Sequence, residues 1–159
     1  MATRRIIVGI DGSEGSRRAL RWAIREAERS DAMIEAVTVW QSPFAFGGTF
    51  GVHVDERNIE EAARKRLAAT IADTAYDASA VRIEQIVAEG DPAWVLCHRA
   101  SGADLLVVGS VGHSPFAGVA LGSVSTRCGQ CSPCPVVIVP KEGQAPPDAA
   151  HQQGPSLSQ

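Results

Sequence analysis

Gly109-Ser110-Val111-Gly112 is followed, after a gap of nine residues, by Gly122-Ser123-Val124-Ser125. Small residues at this spacing suit close approach of an anion to the backbone. The first group stands directly behind a strongly apolar run, Leu105-Leu106-Val107-Val108, and the second opens a segment of helical character. A helix N-terminus behind a strand presents unpaired amides and a positive dipole end, the arrangement that holds phosphate in open α/β sheets. Asp11 ends an earlier apolar run, Ile6 to Ile10. A carboxylate there can assist a divalent cation or simply cap the next helix, and both roles stay open. Gly118 to Ser123 contains no lysine, so a P-loop is not supported, and Gly9, Gly12 and Gly15 miss the dinucleotide-binding spacing. Cys128, Cys131 and Cys134 have a superficially metal-binding spacing. They straddle a predicted helix end and strand start with no fourth ligand evident nearby, and structural or incidental roles are the expectation.

The elements that must position these residues follow from periodicity. Arg5 to Ile10 is a continuous apolar strand of the kind covered on both faces. Ser13 is a natural N-cap for a helix carrying Ala19, Leu20, Ala23, Ile24 and Ala27 on one face. Ile34 to Trp40 is a second strand and Phe44 to Gly51 a loop; Asp55 to Ala75 is an amphipathic helix with Ile59, Ala62, Ala63, Leu67, Ile71 and Ala75 on one face. Val81 to Val87 alternates, as an edge strand does. Asp91-Pro92 starts a helix that Gly102 stops, Leu105 to Val108 is expected at the sheet's centre, a helix runs from about Gly122 to Gly129, and Pro135 to Val139 is the last strand. Trp22, Trp40 and Trp94 fall on these elements and read as packing residues. Alternating strand and helix implies right-handed crossovers in an α/β fold: an open, doubly wound, mostly parallel five-stranded sheet with helices on both faces, Rossmann-like in outline.

The chain of 159 residues suits one domain, residues 1–140, while 141–159 change to Gly, Gln, Pro, Ser and Ala and read as a disordered tail. A net charge of −3 offers no basic coat for nucleic acid. No apolar run approaches the roughly 20 residues of a membrane span, and the Arg4-Arg5 pair lacks the apolar segment an export signal needs. A cytoplasmic protein with no nucleic-acid or membrane partner is expected, its four cysteines free thiols rather than a disulfide framework.

The two-glycine step, the nine-residue gap and Gly-Ser-Val-Ser resemble the nucleotide-binding signature of universal stress proteins. Arg5-Ile-Ile-Val-Gly-Ile-Asp-Gly-Ser, Gly90-Asp-Pro, Asp104-Leu-Leu-Val-Val-Gly-Ser and Cys134-Pro-Val-Val-Ile-Val-Pro are similar to the family pattern as well, so that the resemblance covers residues 4–140. It implies the adenine nucleotide alpha hydrolase-like variant of the fold and an adenine nucleotide, ATP with Mg²⁺ or else AMP or cyclic AMP, as ligand. By the same resemblance Ile10 and Val39 line the adenine, Asp11 meets the nucleotide or its metal, and Val108, Gly109 and Gly112 contact adenosine or phosphate through the backbone. Gly122, Ser123 and Val124 hold phosphate with amides, and the hydroxyls of Ser123 and Ser125 add donors. Many relatives carry a basic residue between Ser110 and Gly112, where this chain has Val111; His113 is the nearby candidate to compensate.

A nucleotide-binding regulator or sensor of the stress response is the leading expectation. A slow ATPase is the alternative, but no lysine or arginine stands at the Gly-rich turn to stabilise a transferring phosphoryl group. A dimeric scaffold without nucleotide is the third. Val136, Val137, Ile138 and Val139 form a short apolar strand suited to pairing with a second copy, and the resemblance points to the same homodimer.

Overall fold

The computed structural model describes residues 3–46, 55–74, 80–113 and 121–143. Five parallel strands, β1 (Arg4–Gly9), β2 (Ala32–Trp40), β3 (Ile83–Glu89), β4 (Leu105–Gly109) and β5 (Val136–Val139), lie in the order β3-β2-β1-β4-β5. Helices α1 (Glu14–Ser30), α2 (Glu56–Thr74), α3 (Pro92–Arg99) and α4 (Ser123–Cys131) connect them. A short 3₁₀ turn spans Pro43–Phe46. The rest of the expected Phe44–Gly51 loop, and the expected tail from 144 onward, lie outside the described residues.

Strand alternation divides the core into two layers. Ile6, Val8, Ile34, Ala36 and Val107 face α1 and α2, packing with Leu20, Ala23, Ile24 and Leu67. Ile7, Val37, Leu106 and Val108 face α3 and α4, packing with Ala93, Leu96, Cys97 and Cys128. At roughly 25 cal/mol per Å², this two-sided burial is the main force holding the sheet. Among the described residues one charged side chain is buried there, that of Glu35, which meets Arg5 at 3.4 Å and Arg99 at 3.2 Å. That pairing offsets the cost of placing a carboxylate inside.

The helix ends follow their sequence signals. Ser13 Oγ accepts from the amide of Ser16, and Asp91 accepts from that of Trp94 with Pro92 in the first turn. Asp31 ends α1 in the left-handed region, its amide donating to the carbonyl of Ala27.

Two expectations are corrected. Leu105 to Val108 is interior but not central: β1 holds the centre, because the chain winds from β1 outward to β3 and then returns to β1's other side. Trp94 is not a packing residue, being 62% exposed and stacked on His98 at 5.1 Å along the outer side of α3. The expected edge strand is β3, at one edge of the sheet. Among the described residues no helix is long and apolar enough to cross a membrane.

Candidate functional site

The winding reverses between β1 and β4, and above their C-terminal ends the connecting turns part into a crevice. Its volume is about 340 Å³. One side is apolar, made by Ile10, Val37, Val39, Leu96 and Val108. The other is polar and backbone-rich, made by Asp11, Gly109, Gly112, His113 and the start of α4. A flat apolar group and an anionic group fit its two ends.

The turns approach so closely that side chains are excluded from them. A Cβ on Gly109 would stand 2.7 Å from the backbone of Gly15, so α1 begins directly against the end of β4. A Cβ on Gly112 would collide with Oδ2 of Asp11. The Asp11 carboxylate is held from its other oxygen, Oδ1, which accepts from the amide and hydroxyl of Ser13. Oδ2 has no hydrogen bond among the described residues and is directed at the Gly112 turn.

At α4 the N-cap Gly122 provides no capping side chain. The first amide bonded within the helix is that of Thr126, to the carbonyl of Gly122 at 3.0 Å. The amides of Ser123, Val124 and Ser125 precede it and belong to the unpaired set of a helix start. The Gly122 amide itself is occupied, donating to the carbonyl of Ser110 at 2.6 Å.

All ten residues that the resemblance singled out, Ile10, Asp11, Val39, Val108, Gly109, Gly112, Gly122, Ser123, Val124 and Ser125, line this one crevice. One arrives with an altered duty. The Ser125 hydroxyl donates to the carbonyls of Ser110 and Gly122, each at 2.9 Å, so its single proton is committed within the protein. Ser123 keeps an exposed side chain. Val111 is 5% exposed and adds apolar surface to the lining. His113 Nε2 donates to the carbonyl of Asp11 at 2.8 Å, and His113 is part of the crevice lining.

Other contributors were not legible. Ser16, Pro92 and Leu96 also line the crevice, and the stem of Arg66 lies across Gly12, where a Cβ would come within 2.9 Å of its Cδ. Trp40 is absent from the lining. Among the described residues no Lys or Arg lines the crevice, and the stretch between His113 and Leu121 contains none in sequence. Attraction for an anion therefore comes from backbone amides and helix dipoles.

Two links join the helices flanking the site. Asp91 pairs with Arg127 at 2.7 Å, and this guanidinium, helped by the amide of Trp94, holds the carboxyl below its ordinary range. Cys97 and Cys131 form a disulfide, their Cα atoms 6.3 Å apart. This corrects the expectation of four free thiols: Cys97 lies far away in sequence, but α3 packs against α4 and brings it to Cys131. Cys128 and Cys134 remain thiols, and burial pushes that of Cys128 up to about 11.

Residues 2–140 match the model of the universal stress protein family. A universal stress protein of Mycolicibacterium smegmatis is 34% identical over 134 residues, covering 84% of this chain and 45% of that protein. Universal stress protein YxiE of Bacillus subtilis is 34% identical over 144 residues, 85% of this chain and 97% of its own length. The chain thus spans under half of the first relative and nearly all of the second. Among solved structures, a universal stress protein in complex with cAMP is 31% identical with a TM-score of 0.64, covering 87% of this chain and 98% of that one. Hypothetical protein MJ0577 has a TM-score of 0.72 at 19% identity, covering 89% and 99%, and shares the fold. By sequence and by architecture, the chain belongs to the universal stress protein family.

Proposed function

We propose that the crevice binds an adenine nucleotide and that the protein acts as a nucleotide-dependent regulator of the stress response, working as a homodimer. The observation that carries this is the convergence of an apolar slot with two glycine turns and an uncapped helix start at the reversal of the sheet. Ile10, Val37, Val39, Leu96 and Val108 would enclose the base, and the amides of Ser123 and Val124 would receive phosphate. The solved relative that is 31% identical and in complex with cAMP supports the same ligand class.

ATP with Mg²⁺ is the first reading. Asp11 suits the metal: Oδ1 is anchored by Ser13 while Oδ2 is directed at the phosphate turn, and Mg²⁺ needs few protein ligands when phosphate oxygens and water complete its shell. The metal would supply charge neutralisation for the triphosphate that this lining lacks. A monophosphate, AMP or cyclic AMP, is the second reading, favoured by the absence of Lys and Arg from the lining among the described residues. Neither reading assigns the protein a hydrolytic step.

Equilibrium titration with ATP, AMP and cyclic AMP, each with and without Mg²⁺, tests both. Mg²⁺-dependent ATP binding that Asp11→Asn abolishes is the expected outcome of the first. Binding of AMP or cyclic AMP that needs neither Mg²⁺ nor the Asp11 charge would replace it with the second. No saturable binding of any of them would refute the nucleotide reading. The homodimer would pair the edge strand β5, whose Val136, Val137, Ile138 and Val139 are all only half-buried in the single chain.

A further inference from the structure

The Cys97–Cys131 bond closes a loop between positions 34 apart, and that loop contains Val108, Gly109, Gly112 and all of Gly122 to Ser125. Both glycine turns of the crevice thus sit within one covalent ring. The other end of the bond is on α3, where Leu96, next to Cys97, and Pro92 form part of the crevice wall. Apart from this bond α4 is held at its first turn, where the Ser125 hydroxyl and the Gly122 amide reach the carbonyl of Ser110, while its last turn, which carries Cys131, is lightly seated. Only Ser125 and Cys128 of its nine residues are buried, and its ion pair to α3, Arg127 with Asp91, is half-exposed and screened by solvent.

We propose that Cys97–Cys131 is a redox control on the crevice: closed, it holds α3 and α4 at the spacing that receives nucleotide, and opened by a dithiol it releases α4 and weakens binding. This rests on the nucleotide reading above.

The geometry sets the route. Cys131 is exposed while Cys97 is 9% exposed, so a dithiol thiolate attacks Sγ of Cys131 and Cys97 departs as thiolate and takes up a proton. The second thiol of the reductant then displaces Cys131. The reductant leaves as its own disulfide, having given two electrons and two protons, and the protein holds two new thiols. Cys128, one helical turn before Cys131, does not compete: buried and held up to about 11, it stays protonated at neutral pH and is a poor nucleophile.

The test combines thiol counting after unfolding in guanidinium, which exposes buried Cys128 to the reagent, with nucleotide titration in the air-oxidised form, the dithiothreitol-reduced form and Cys131→Ser. The expected result is two free thiols in the oxidised form and four after reduction, with affinity for ATP·Mg²⁺ or AMP falling by about fivefold or more, the lower end of ordinary coupling between sites. Cys131→Ser should match the reduced protein with or without reductant. Linkage is reciprocal, so saturating nucleotide should shift the thiol–disulfide equilibrium with dithiothreitol toward the closed bond by the same factor. Four thiols in the air-oxidised protein, or equal affinity in both redox states, would overturn the proposal. A bond confirmed by thiol count in a protein that binds no nucleotide in either state would overturn it too, leaving a structural cross-link, and would locate the error in the nucleotide reading rather than in the cysteine pairing.

Discussion

Ser125 Oγ lies 2.9 Å from the carbonyl oxygen of Ser110, fifteen residues earlier, and so fastens the start of α4 to the end of β4. The two glycine turns are rigidly related through this contact, together with the Gly122 amide on the same carbonyl. Ser125→Ala removes the hydroxyl but leaves each carbonyl a backbone donor, the Gly122 amide at Ser110 and the Thr126 amide at Gly122. The loss should therefore be about 1 kcal/mol in urea unfolding, the net value of an ordinary hydrogen bond. Nucleotide affinity should fall as well, since the amides of α4 are no longer fixed against β4. Unchanged stability would mean that the backbone bond alone suffices.

The pairing of Asp91 with Arg127 carries a pH dependence of definite sign. Its folded pKa is lowered, first by Arg127 and then by the Trp94 amide, so the stabilisation is present above the ordinary carboxylate range and is lost as pH falls through the folded value. Asp91→Asn keeps a capping oxygen but removes the charge. Wild type should be the more stable at pH 7, with the gap closing below about pH 4. A gap that persists at low pH would assign the effect to packing instead.

Asp31 sits at φ 54° and ψ 44°, the sole non-glycine residue with positive φ among those described. Glycine adopts this conformation without the Cβ clash, so Asp31→Gly should raise stability by about 0.5 kcal/mol, read from the denaturation midpoint at constant slope. A loss would show that the Asp31 side chain contributes more than its backbone strain costs.

Val137 lies on β5 in register with Val107, on the outer strand of the sheet. If two copies pair along this edge, Val137→Lys should give monomers in sedimentation without unfolding the chain. A dimer that survives would place the interface on another surface.

Most of the fold was legible because its signals are local. Ser13 and Asp91-Pro92 announce helix starts through the amides they serve, and apolar runs such as Ile6 to Val8 announce buried strands. The crevice's glycine turns were legible for a related reason, since their glycines mark places where chains approach too closely for a side chain, as at Gly109 and Gly112. What could not be read depends on distant partners. Nothing in the spacing of Cys97 and Cys131 reveals that α3 and α4 pack together, and nothing in Ser125 shows its proton committed to Ser110. The exposure of Trp94 turns on the orientation of a helix of only eight residues, too short for periodicity to fix its inner face. Strand order is likewise non-local, which is why β4 was expected where β1 stands.

The most direct measurement is calorimetric titration of the protein with ATP·Mg²⁺, AMP and cyclic AMP beside Gly122→Ala and Gly122→Val. A Cβ at Gly122 would meet nothing nearer than 3.5 Å, ordinary contact, so the alanine variant should fold as the wild type does. Either side chain would nonetheless stand beside the amides of α4, where phosphate is proposed to lie. The account requires saturable binding by wild type, weakened in the alanine variant and lost in the valine variant while both variants still unfold cooperatively. Binding that is indifferent to both substitutions would put the nucleotide elsewhere, and no binding by wild type would contradict the account outright.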